Sequence, residues 1–235
     1  MKVVTWNMNY WQQAEMSDFA WKFLIEKINP DIALLQETVV PDEYKNEHFI
    51  FAKAYGKRDW GTCIYVKNGF DIVDKTTEYF TENKSEYAGK QIVGEIYANG
   101  KSLTAVSLHT NTNGDTMNHI EYIFGNEVLR KKNNLVIGGD FNADKSMALS
   151  KSFFDNLSSE SSSLLECTPE FTQTYFNWNT SEDTHYQDDH IFISKDLKVK
   201  KHINKSGQQF NAFTWNYGKV KRYSDHTVLE VNLDL

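Results

Sequence analysis

Short apolar runs alternate with amphipathic segments from the first residues of the chain onward. The runs Lys2–Trp6 and Asp31–Leu35 predict strands, and the second is so uniformly apolar that we expect burial on both of its faces. The segment between them predicts a helix that Ser17 caps and Pro30 ends. Apolar residues recur on one face of this helix, at Ala20, Phe23, Leu24 and Ile28.

The same alternation continues along the rest of the chain. Further strands are predicted at Thr62–Val66, Phe70–Val73, Gln91–Tyr97, Ser102–Leu108, Asn134–Ile137, Ile191–Ser194 and Thr227–Asp234. Asn68-Gly69 predicts a turn, and Asn99-Gly100 predicts a hairpin. Helices are predicted near Ser146–Phe154 and from about Thr116 to Arg130, the latter with an apolar face of Met117, Ile120, Phe124 and Val128. Such interleaving predicts a mixed-sheet α/β sandwich, which we expect to be a single domain over residues 1–235.

Composition limits the choice of partners. The 235 residues carry a formal net charge of -7, which argues against a protein that holds nucleic acid by bulk electrostatic attraction. An enzyme that needs only a local basic rim and a bound cation is compatible with that charge. A carboxylate cluster that binds a metal ion would itself lower the net charge of the chain.

Cysteine usage and the lack of long apolar runs indicate where the protein works. Cys63 and Cys167 share no motif spacing and nothing requires them to pair, so we expect a reducing compartment. The chain enters a predicted strand at once, so we expect no signal peptide. No apolar run in the sequence is long enough to cross a membrane. These features favour a cytoplasmic protein without a membrane partner, and we expect a monomer because no obligate protein partner is evident.

Six short polar clusters follow or adjoin the predicted strands. They are Trp6-Asn7, Gln36-Glu37, Leu108-His109-Thr110-Asn111, Gly138-Gly139-Asp140-Phe141-Asn142, Asp188-Asp189-His190 and Ser224-Asp225-His226. Each has an ordinary structural explanation when taken alone: Asn7 could cap a turn, and Asp140 with Asn142 could form an Asx-turn. Because open α/β sheets place their sites at strand ends, the clusters could instead converge in space.

The order of these clusters resembles that of the endonuclease/exonuclease/phosphatase superfamily, which includes deoxyribonuclease-like enzymes and phosphatases. The resemblance extends from residue 3 to about residue 230. Its most specific pieces are Thr5-Trp6-Asn7, Leu35-Gln36-Glu37, Gly139-Asp140-Phe141-Asn142 and Ser224-Asp225-His226. It implies a four-layered α/β sandwich with two packed mixed β-sheets flanked by helices. It also implies a hydrolase that cleaves phosphate esters with Mg²⁺, for which Mn²⁺ could substitute.

The resemblance implies a metal site at three of these positions. Glu37 is the expected direct ligand, Asn7 its neutral amide companion, and Asp225 a third ligand, directly or through water. Oxygen donors of this kind suit Mg²⁺, which keeps several waters and takes only one or two carboxylates. An enzyme of this class needs such a cation because a phosphodiester is anionic and repels the attacking nucleophile.

Four further residues are expected to carry the chemistry. Asp140 and Asn142 would point at one water, which Asp140 would orient or deprotonate. His226 would contact the phosphate, with Asp189 bonded to its other ring nitrogen. A carboxylate partner of this kind fixes the histidine tautomer and favours the protonated ring. These roles follow from the resemblance and from the chemistry that phosphoester hydrolysis requires.

His109 is expected to be a second phosphate contact or a general acid, because the deoxyribonuclease and phosphatase branches carry histidine at the matching strand end. Asp59 is the expected carboxylate partner of this histidine. One position departs from the family pattern: many relatives carry arginine two residues before the aspartate matched by Asp189, whereas this chain carries Gln187. Asp188 therefore stays open as an alternative to Asp189.

The loop before the Ser-Asp-His motif bears on the substrate. It contains Trp215, Tyr217, Lys219, Lys221 and Arg222. Rings beside basic side chains are suited to stacking bases and holding phosphates, which favours a nuclease acting on DNA or RNA. The loop could equally be a solvated segment with buried rings. Two other functions stay open: a phosphatase or phosphodiesterase of a small molecule or phosphoinositide-type substrate, and an inactive binding protein of the same fold.

Overall fold

The computed structural model describes residues 1–45, 48–80, 87–112, 114–145, 148–169, 172–177 and 185–234, except for the side chains of residues 148, 149 and 185. The strands are β1 (Lys2–Asn7), β2 (Ile32–Thr38), β3 (His48–Lys53), β4 (Gly61–Val66), β5 (Asp71–Asp74), β6 (Gln91–Ala98), β7 (Lys101–His109), β8 (Leu135–Asp140), β9 (Leu164–Glu166), β10 (Tyr175–Phe176), β11 (His185–Tyr186), β12 (Asp189–Ser194), β13 (Lys198–Val199), β14 (His202–Ile203), β15 (Gln209–Phe210), β16 (Ala212–Thr214) and β17 (Leu229–Asp234).

Helices connect these strands. The α-helices are α1 (Tyr10–Gln13), α2 (Ser17–Phe23), α3 (Thr76–Tyr79), α4 (Thr116–Phe124), α5 (Glu127–Arg130), α6 (Ala148–Leu157) and α7 (Tyr217–Val220). The segments Ala14–Met16 and Asp42–Tyr44 are 3₁₀ turns, and Leu24–Ile28 continues α2 as a π-helix. None of the helices in the described residues is long and apolar enough to cross a membrane.

Two large mixed sheets organise the described part of the chain. The first sheet has the order β13-β17-β1-β2-β4-β3, with β16 also paired to β17, and the second has the order β5-β6-β7-β8-β12-β9. Each sheet has one parallel pair near its centre, β1 with β2 and β7 with β8, and antiparallel neighbours elsewhere. The smaller pairs β10-β11 and β14-β15 lie outside both large sheets.

Alternate residues of the central strands enter different cores. In β1, Val3 lies between the two sheets whereas Val4 packs on the outer side of the first sheet. That outer side is covered by α2 and its π-helical continuation, through Trp21 and Leu24. The outer side of the second sheet is covered by α4, α5 and α6 in the same way. This arrangement of helix, sheet, sheet and helix confirms the predicted four-layered sandwich.

The predicted strands are present, with their ends shifted by a few residues, but several details of the helices differ. Ser17 is the first helical residue and makes no cap, because Met16 occupies the cap position. The helix predicted from Thr116 to Arg130 is interrupted after Phe124, where the side chain of Asn126 accepts a hydrogen bond from the Leu129 amide and starts α5. Val128 was predicted on the apolar face but is 74% exposed, since the new start rotates Leu129 inward instead.

Two further sequence predictions change in the structure. Asn68-Gly69 does turn the chain, but the following strand β5 pairs with β6 in the other sheet, so this turn joins the two sheets. The helix predicted near Ser146–Phe154 is α6 from residue 148 onward, and residue 146 lies outside the described residues. Cys63 and Cys167 are free and buried in different cores, consistent with the expectation that nothing requires them to pair.

Two consecutive glycines near the end of β8 leave room for the facing sheet, at Gly138, and for the neighbouring strand β7, at Gly139. A Cβ atom on Gly138 would lie 2.9 Å from Leu34 Cδ1 of the facing sheet, and one on Gly139 would lie 1.8 Å from the Leu108 carbonyl oxygen. No other residue type fits at Gly139 without moving the backbone. The glycines therefore bring Asp140, which follows them directly, close to both sheets.

Candidate active site

The polar clusters of the sequence meet where strands of both sheets end. Asn7 and Gln36 are register partners at the carboxyl ends of the parallel strands β1 and β2. His109 and Asp140 are register partners at the carboxyl ends of β7 and β8, and Asp189, which begins the antiparallel strand β12, is opposite Asp140. Parallel strands end at a common edge, and this is why residues far apart in sequence converge here.

Asp140 is at the centre of this group and is 2% exposed. Its Oδ2 accepts a hydrogen bond of 2.8 Å from Asn7 Nδ2, so the two sheets are joined through the site itself. Its Oδ1 accepts a bond of 2.9 Å from the Asn142 amide, which closes an Asx-turn. Asn142 has a φ of 45°, and its Nδ2 donates to the Thr110 carbonyl oxygen at 3.3 Å. The structural and the catalytic explanations of this motif are therefore compatible.

His226 and Asp189 form the pair that the sequence predicted. His226 Nδ1 is 2.8 Å from Asp189 Oδ2, and the other ring nitrogen, Nε2, is 3.8 Å from Asp140 Oδ2. Burial alone would lower the pKa of His226, but Asp189 and Asp140 outweigh it and raise the pKa well above the usual value. Asp188 instead lines the cavity in front of the pair. The geometry thus assigns Asp189, not Asp188, as the partner of the ring.

Glu37 is held in a backbone conformation that non-glycine residues rarely adopt. Its φ is 44°, at a point where the register between β2 and β4 shifts between Leu35 and Thr38. This irregularity turns the carboxylate toward the other sheet, where Oε1 is 3.5 Å from His109 Nε2. Burial, reinforced by the charge of Asp140, raises the pKa of Glu37 to about 7.

His109 differs from its predicted surroundings. Burial lowers its pKa to about 4, so the ring is neutral near pH 7 and is not a ready general acid. Nδ1 is buried without a hydrogen-bond partner among the described residues. The predicted partner, Asp59, instead pairs with Lys53 at the exposed surface. The carboxylates that His109 does approach are Glu37 and Asp140.

Asp225 is tied to the site through Asn9, a residue that the sequence analysis missed. Asn9 Nδ2 donates to Asp225 Oδ1 at 2.8 Å, and the Asn9 amide donates to Asn7 Oδ1 at 2.9 Å. Asn9 Oδ1 is buried without a hydrogen-bond partner in the described chain. Ser224 completes the support, because its hydroxyl donates to the Asn7 carbonyl oxygen and accepts from the His226 amide. The Asn-x-Asn spacing after β1 was the available signal.

These residues line a cavity of about 510 Å³. Its floor contains Asn7, Glu37, His109, Asp140, Asn142, Asp225 and His226. Two aromatic residues from distant parts of the chain also line the cavity: Trp11, which is 62% exposed, and Tyr175, whose ring centroid lies 4.9 Å from that of His226. No pattern in the sequence identified either of these aromatic residues as part of the site.

The loop predicted to bind substrate lies beside this cavity and does not line it. Trp215 Nε1 donates to Glu230 Oε2 at 3.1 Å, and its ring packs edge-on against Phe23. Tyr217 stacks on Phe176 with centroids 3.7 Å apart. Both rings are half-buried, and both line a neighbouring groove. The remaining residues of this loop are exposed and outside the cavity lining; they are Lys219, Lys221 and Arg222. Position therefore gives no support to a substrate-binding role for these five residues at the central site.

The chemistry of the donors fits a hard divalent cation. Glu37, Asp140 and Asp225 each contribute negative charge to one buried region, and burial raises the pKa of Asp225 as it does that of Glu37. Within the described residues, no three His, Cys, Asp or Glu side chains are grouped as a ready-made cage for an ion. Mg²⁺ does not need one, because it retains waters and takes one or two carboxylates. Asn9 Oδ1, buried and without a partner, is a further oxygen donor beside them.

The chain matches the model of a known protein family. A model of the Endonuclease/Exonuclease/phosphatase family matches residues 4–226. The chain belongs to this family. Its members hydrolyse phosphate esters, so the class of reaction follows from membership, and the cluster around Asp140 occupies the strand ends where the resemblance implied it. No curated protein sequence matches the chain.

Solved structures of this family share the fold at low sequence identity. The endonuclease domain of TRAS1, a telomere-specific non-LTR retrotransposon, is 16% identical with a TM-score of 0.70, and the match covers 100% of this chain and 98% of that one. TDP2 from D. rerio, complexed with a single-strand DNA product, is 11% identical with a TM-score of 0.65 and coverages of 100% and 99%. A mannosyl-6-phosphatase from Bacteroides thetaiotaomicron is 16% identical with a TM-score of 0.63 and full coverage of both chains.

Proposed function

We propose that this protein is a Mg²⁺-dependent phosphodiesterase that hydrolyses nucleic acid, with residues 1–235 acting as one catalytic domain. The observation that carries the proposal is the cluster of Asn7, Glu37, Asp140 and His226, which faces one cavity from both sheets. A buried group of carboxylates beside a charged, carboxylate-paired histidine can neutralise a phosphate and direct a water at it. The bound Mg²⁺ or Mn²⁺, held by Glu37 with Asn7 and Asp225, would supply charge neutralisation at the phosphate oxygens.

The residues of the chain would divide the reaction between them. Asp140, fixed by Asn7 and Asn142, orients a water and accepts its proton as the water oxygen adds to phosphorus. His226, held by Asp189, donates a hydrogen bond from Nε2 to a phosphate oxygen. The bond from phosphorus to the leaving oxygen breaks with its electron pair, and that oxygen takes a proton from solvent. The products are a phosphate monoester and an alcohol.

Nucleic acid is the favoured substrate because of the cavity walls. Trp11 is largely exposed at the mouth, and Tyr175 forms the wall beside His226, so rings are available on which bases can stack. Two of the solved structures named above are the endonuclease domain of a telomere-specific retrotransposon and a protein bound to a single-strand DNA product. A second candidate, a phosphatase of a small molecule, is favoured by the size of the cavity, which matches a small ligand.

A substrate screen tests the proposal and separates the two candidates. Purified protein with Mg²⁺ or Mn²⁺ is offered single-stranded DNA, duplex DNA, RNA, sugar phosphates, inositol phosphates and a chromogenic diester. We expect the highest kcat/KM on a polynucleotide. Faster turnover of a phosphate monoester than of any polynucleotide would favour the small-molecule phosphatase, and no turnover of any of them would contradict phosphoester hydrolysis.

Metal dependence gives the first mutational prediction. Chelation should abolish hydrolysis, and Glu37→Gln should raise the Mg²⁺ concentration needed for half-maximal rate by more than about tenfold, since a ligand is lost. Added Mg²⁺ should raise the melting temperature of the wild type more than that of the variant. In chelator the variant should be at least as stable as the wild type, because one of several crowded carboxylates is removed. Glu15→Gln, on the exposed surface, is the control. Activity that survives thorough chelation would exclude this mechanism.

The position of the aromatic residues gives a second prediction. Trp11→Ala should lower kcat/KM for polynucleotide cleavage about tenfold, since stacking contributes about 1–3 kcal/mol per base, and should affect a small chromogenic diester less. Trp215→Ala should mainly lower the melting temperature, because it removes the bond to Glu230 and the packing on Phe23. A selective loss on polynucleotide in Trp215→Ala, with none in Trp11→Ala, would return the binding role to the Trp215 loop.

A further inference from the structure

Two cations line the His109 side of the cavity without an acidic partner. Arg58 and Lys90 both belong to the cavity lining, and neither makes an ion pair with a carboxylate of the described residues. The acidic residue next to Arg58 in sequence, Asp59, is engaged by Lys53. Arg58 is exposed and Lys90 is half-buried at this cavity, so an anion that enters the cavity can reach both charges, and their position points to an anionic ligand.

Arg58 is held in place by an aromatic ring. Its guanidinium carbon lies 4.9 Å from the centroid of Trp60, at the distance of a cation–π contact. Trp60 is only 7% exposed, and its ring centroid is 5.6 Å from that of His109. The ring therefore connects the guanidinium to the floor of the site and limits the orientations that the long side chain can take.

Lys90 is linked to His109 through the backbone. It precedes β6 directly, and its carbonyl oxygen accepts a hydrogen bond of 2.7 Å from the His109 amide. Its side chain is half-buried at the cavity wall. Burial, and then the charge of Arg58, lower the pKa of Lys90 to about 8. A phosphate bound in this part of the cavity would be attracted by both cations.

We propose that Arg58 and Lys90 form a subsite for a second phosphate group, beside the phosphate that is cleaved and on its His109 side. This inference rests on the proposed function and specifies its substrate: a phosphate ester that carries another phosphate one linkage away. The planar guanidinium can bind two phosphate oxygens at once, and the ammonium adds a point charge. The second phosphate could be the next diester of a polynucleotide or a terminal monophosphate.

Short thymidine oligonucleotides test the subsite. The dinucleotide carries one phosphate, its 5′- and 3′-phosphorylated forms carry a terminal second phosphate, and the trinucleotide carries a second diester. Wild-type protein should show a higher kcat/KM for at least one two-phosphate substrate than for the plain dinucleotide. Arg58→Gln and Lys90→Gln should each lower this preference about tenfold, through loss of a charge-assisted contact. The substrate on which the preference falls identifies the source of the second phosphate.

Matched variants separate charge from structure. Lys57→Gln removes a positive charge from the same loop as Arg58 but from an exposed side chain outside the cavity lining, and it should keep the preference. Lys90→Arg should restore most of what Lys90→Gln loses, because it keeps the positive charge. Melting temperatures report whether the Lys90 variants fold. Absence of a preference in the wild type, or equal losses on all substrates in both variants, would overturn the subsite.

The failure of the subsite can be distinguished from the failure of the proposed function. If wild-type protein hydrolyses neither these substrates nor any polynucleotide of the substrate screen with Mg²⁺ or Mn²⁺, the proposed function is wrong. Binding of inorganic pyrophosphate, measured by calorimetry in the presence of chelator, then tests the two cations alone. Weaker binding by Arg58→Gln and Lys90→Gln than by Lys57→Gln would support the subsite, and equal binding by all three would overturn it.

Discussion

Replacing Asp140 with Asn is expected to lower kcat by about 10²- to 10⁴-fold, the range that a positioned general base contributes. The substitution keeps the shape of the side chain, but its single oxygen can accept only one of the two hydrogen bonds that Asp140 accepts from Asn7 and from the Asn142 amide. It removes the negative charge that receives the proton of water and that faces His226 Nε2 at 3.8 Å. Steady-state kinetics on a chromogenic diester measures the effect without a contribution from base contacts.

Stability separates this effect from damage to the fold. Asp140 adds to the repulsion that raises the pKa of Glu37 and of Asp188. Its replacement relieves this repulsion, which partly offsets the lost hydrogen bond and the lost attraction to His226, so the melting temperature in chelator should stay within a few degrees of the wild-type value. Asp155→Asn, the same change at an exposed position of α6, should leave both quantities near wild type. A variant at Asp140 that stays folded and retains more than about one tenth of the wild-type kcat would contradict a role as the base.

The pair of His226 and Asp189 is expected to give the second large effect. His226→Ala should lower kcat about 10²-fold or more, because the hydrogen bond to the phosphate is lost. Asp189→Asn should give a loss of similar size, since the ring then lacks the carboxylate that orients and charges it. Combining the two should leave nearly the same residual rate as either alone, because groups that act as one unit are not additive.

A neighbouring carboxylate supplies the matched control for this cycle. Asp188→Asn removes a charge next in sequence that lines the cavity without bonding to the ring. In the double variant, the factor by which Asp188→Asn lowers kcat should multiply the factor for His226→Ala. Asp189 is fully buried, so circular dichroism must show that its variant is folded. If the losses in kcat multiply for His226 with Asp189 but do not add for His226 with Asp188, then Asp188 and not Asp189 is the functional partner of His226.

The sequence was sufficient where local pattern and global structure agree. The strand β1 and the strand β2 are apolar on both faces because each lies inside a sheet between two cores, and this uniformity is visible without coordinates. The polar clusters could be found because each directly follows such a strand. Edge strand β3 was missed because its residues are only half-buried and carry no clear alternation.

The walls of the site could not be predicted for a different reason. Trp11, Arg58 and Lys90 belong to connecting segments, where tertiary contacts and not periodicity decide which side chains face the cavity. Trp215 is surrounded in the sequence by polar and basic residues, and this suggested that its ring is exposed. Its indole nitrogen finds Glu230 on the adjoining strand, a partner 15 residues away that no local pattern reveals.

The hydrogen bond between Asn7 and Asp140 joins one sheet to the other. The geometry of the active site therefore depends on how the two sheets are aligned. One residue of slip along a strand is about 3.3 Å, more than the whole length of this bond. Interior side chains at the sheet interface, such as Leu34 opposite Gly138, therefore set the distance between groups that never touch them. Conservative changes there should therefore alter the distance between Asn7 and Asp140, and with it turnover, without touching either residue.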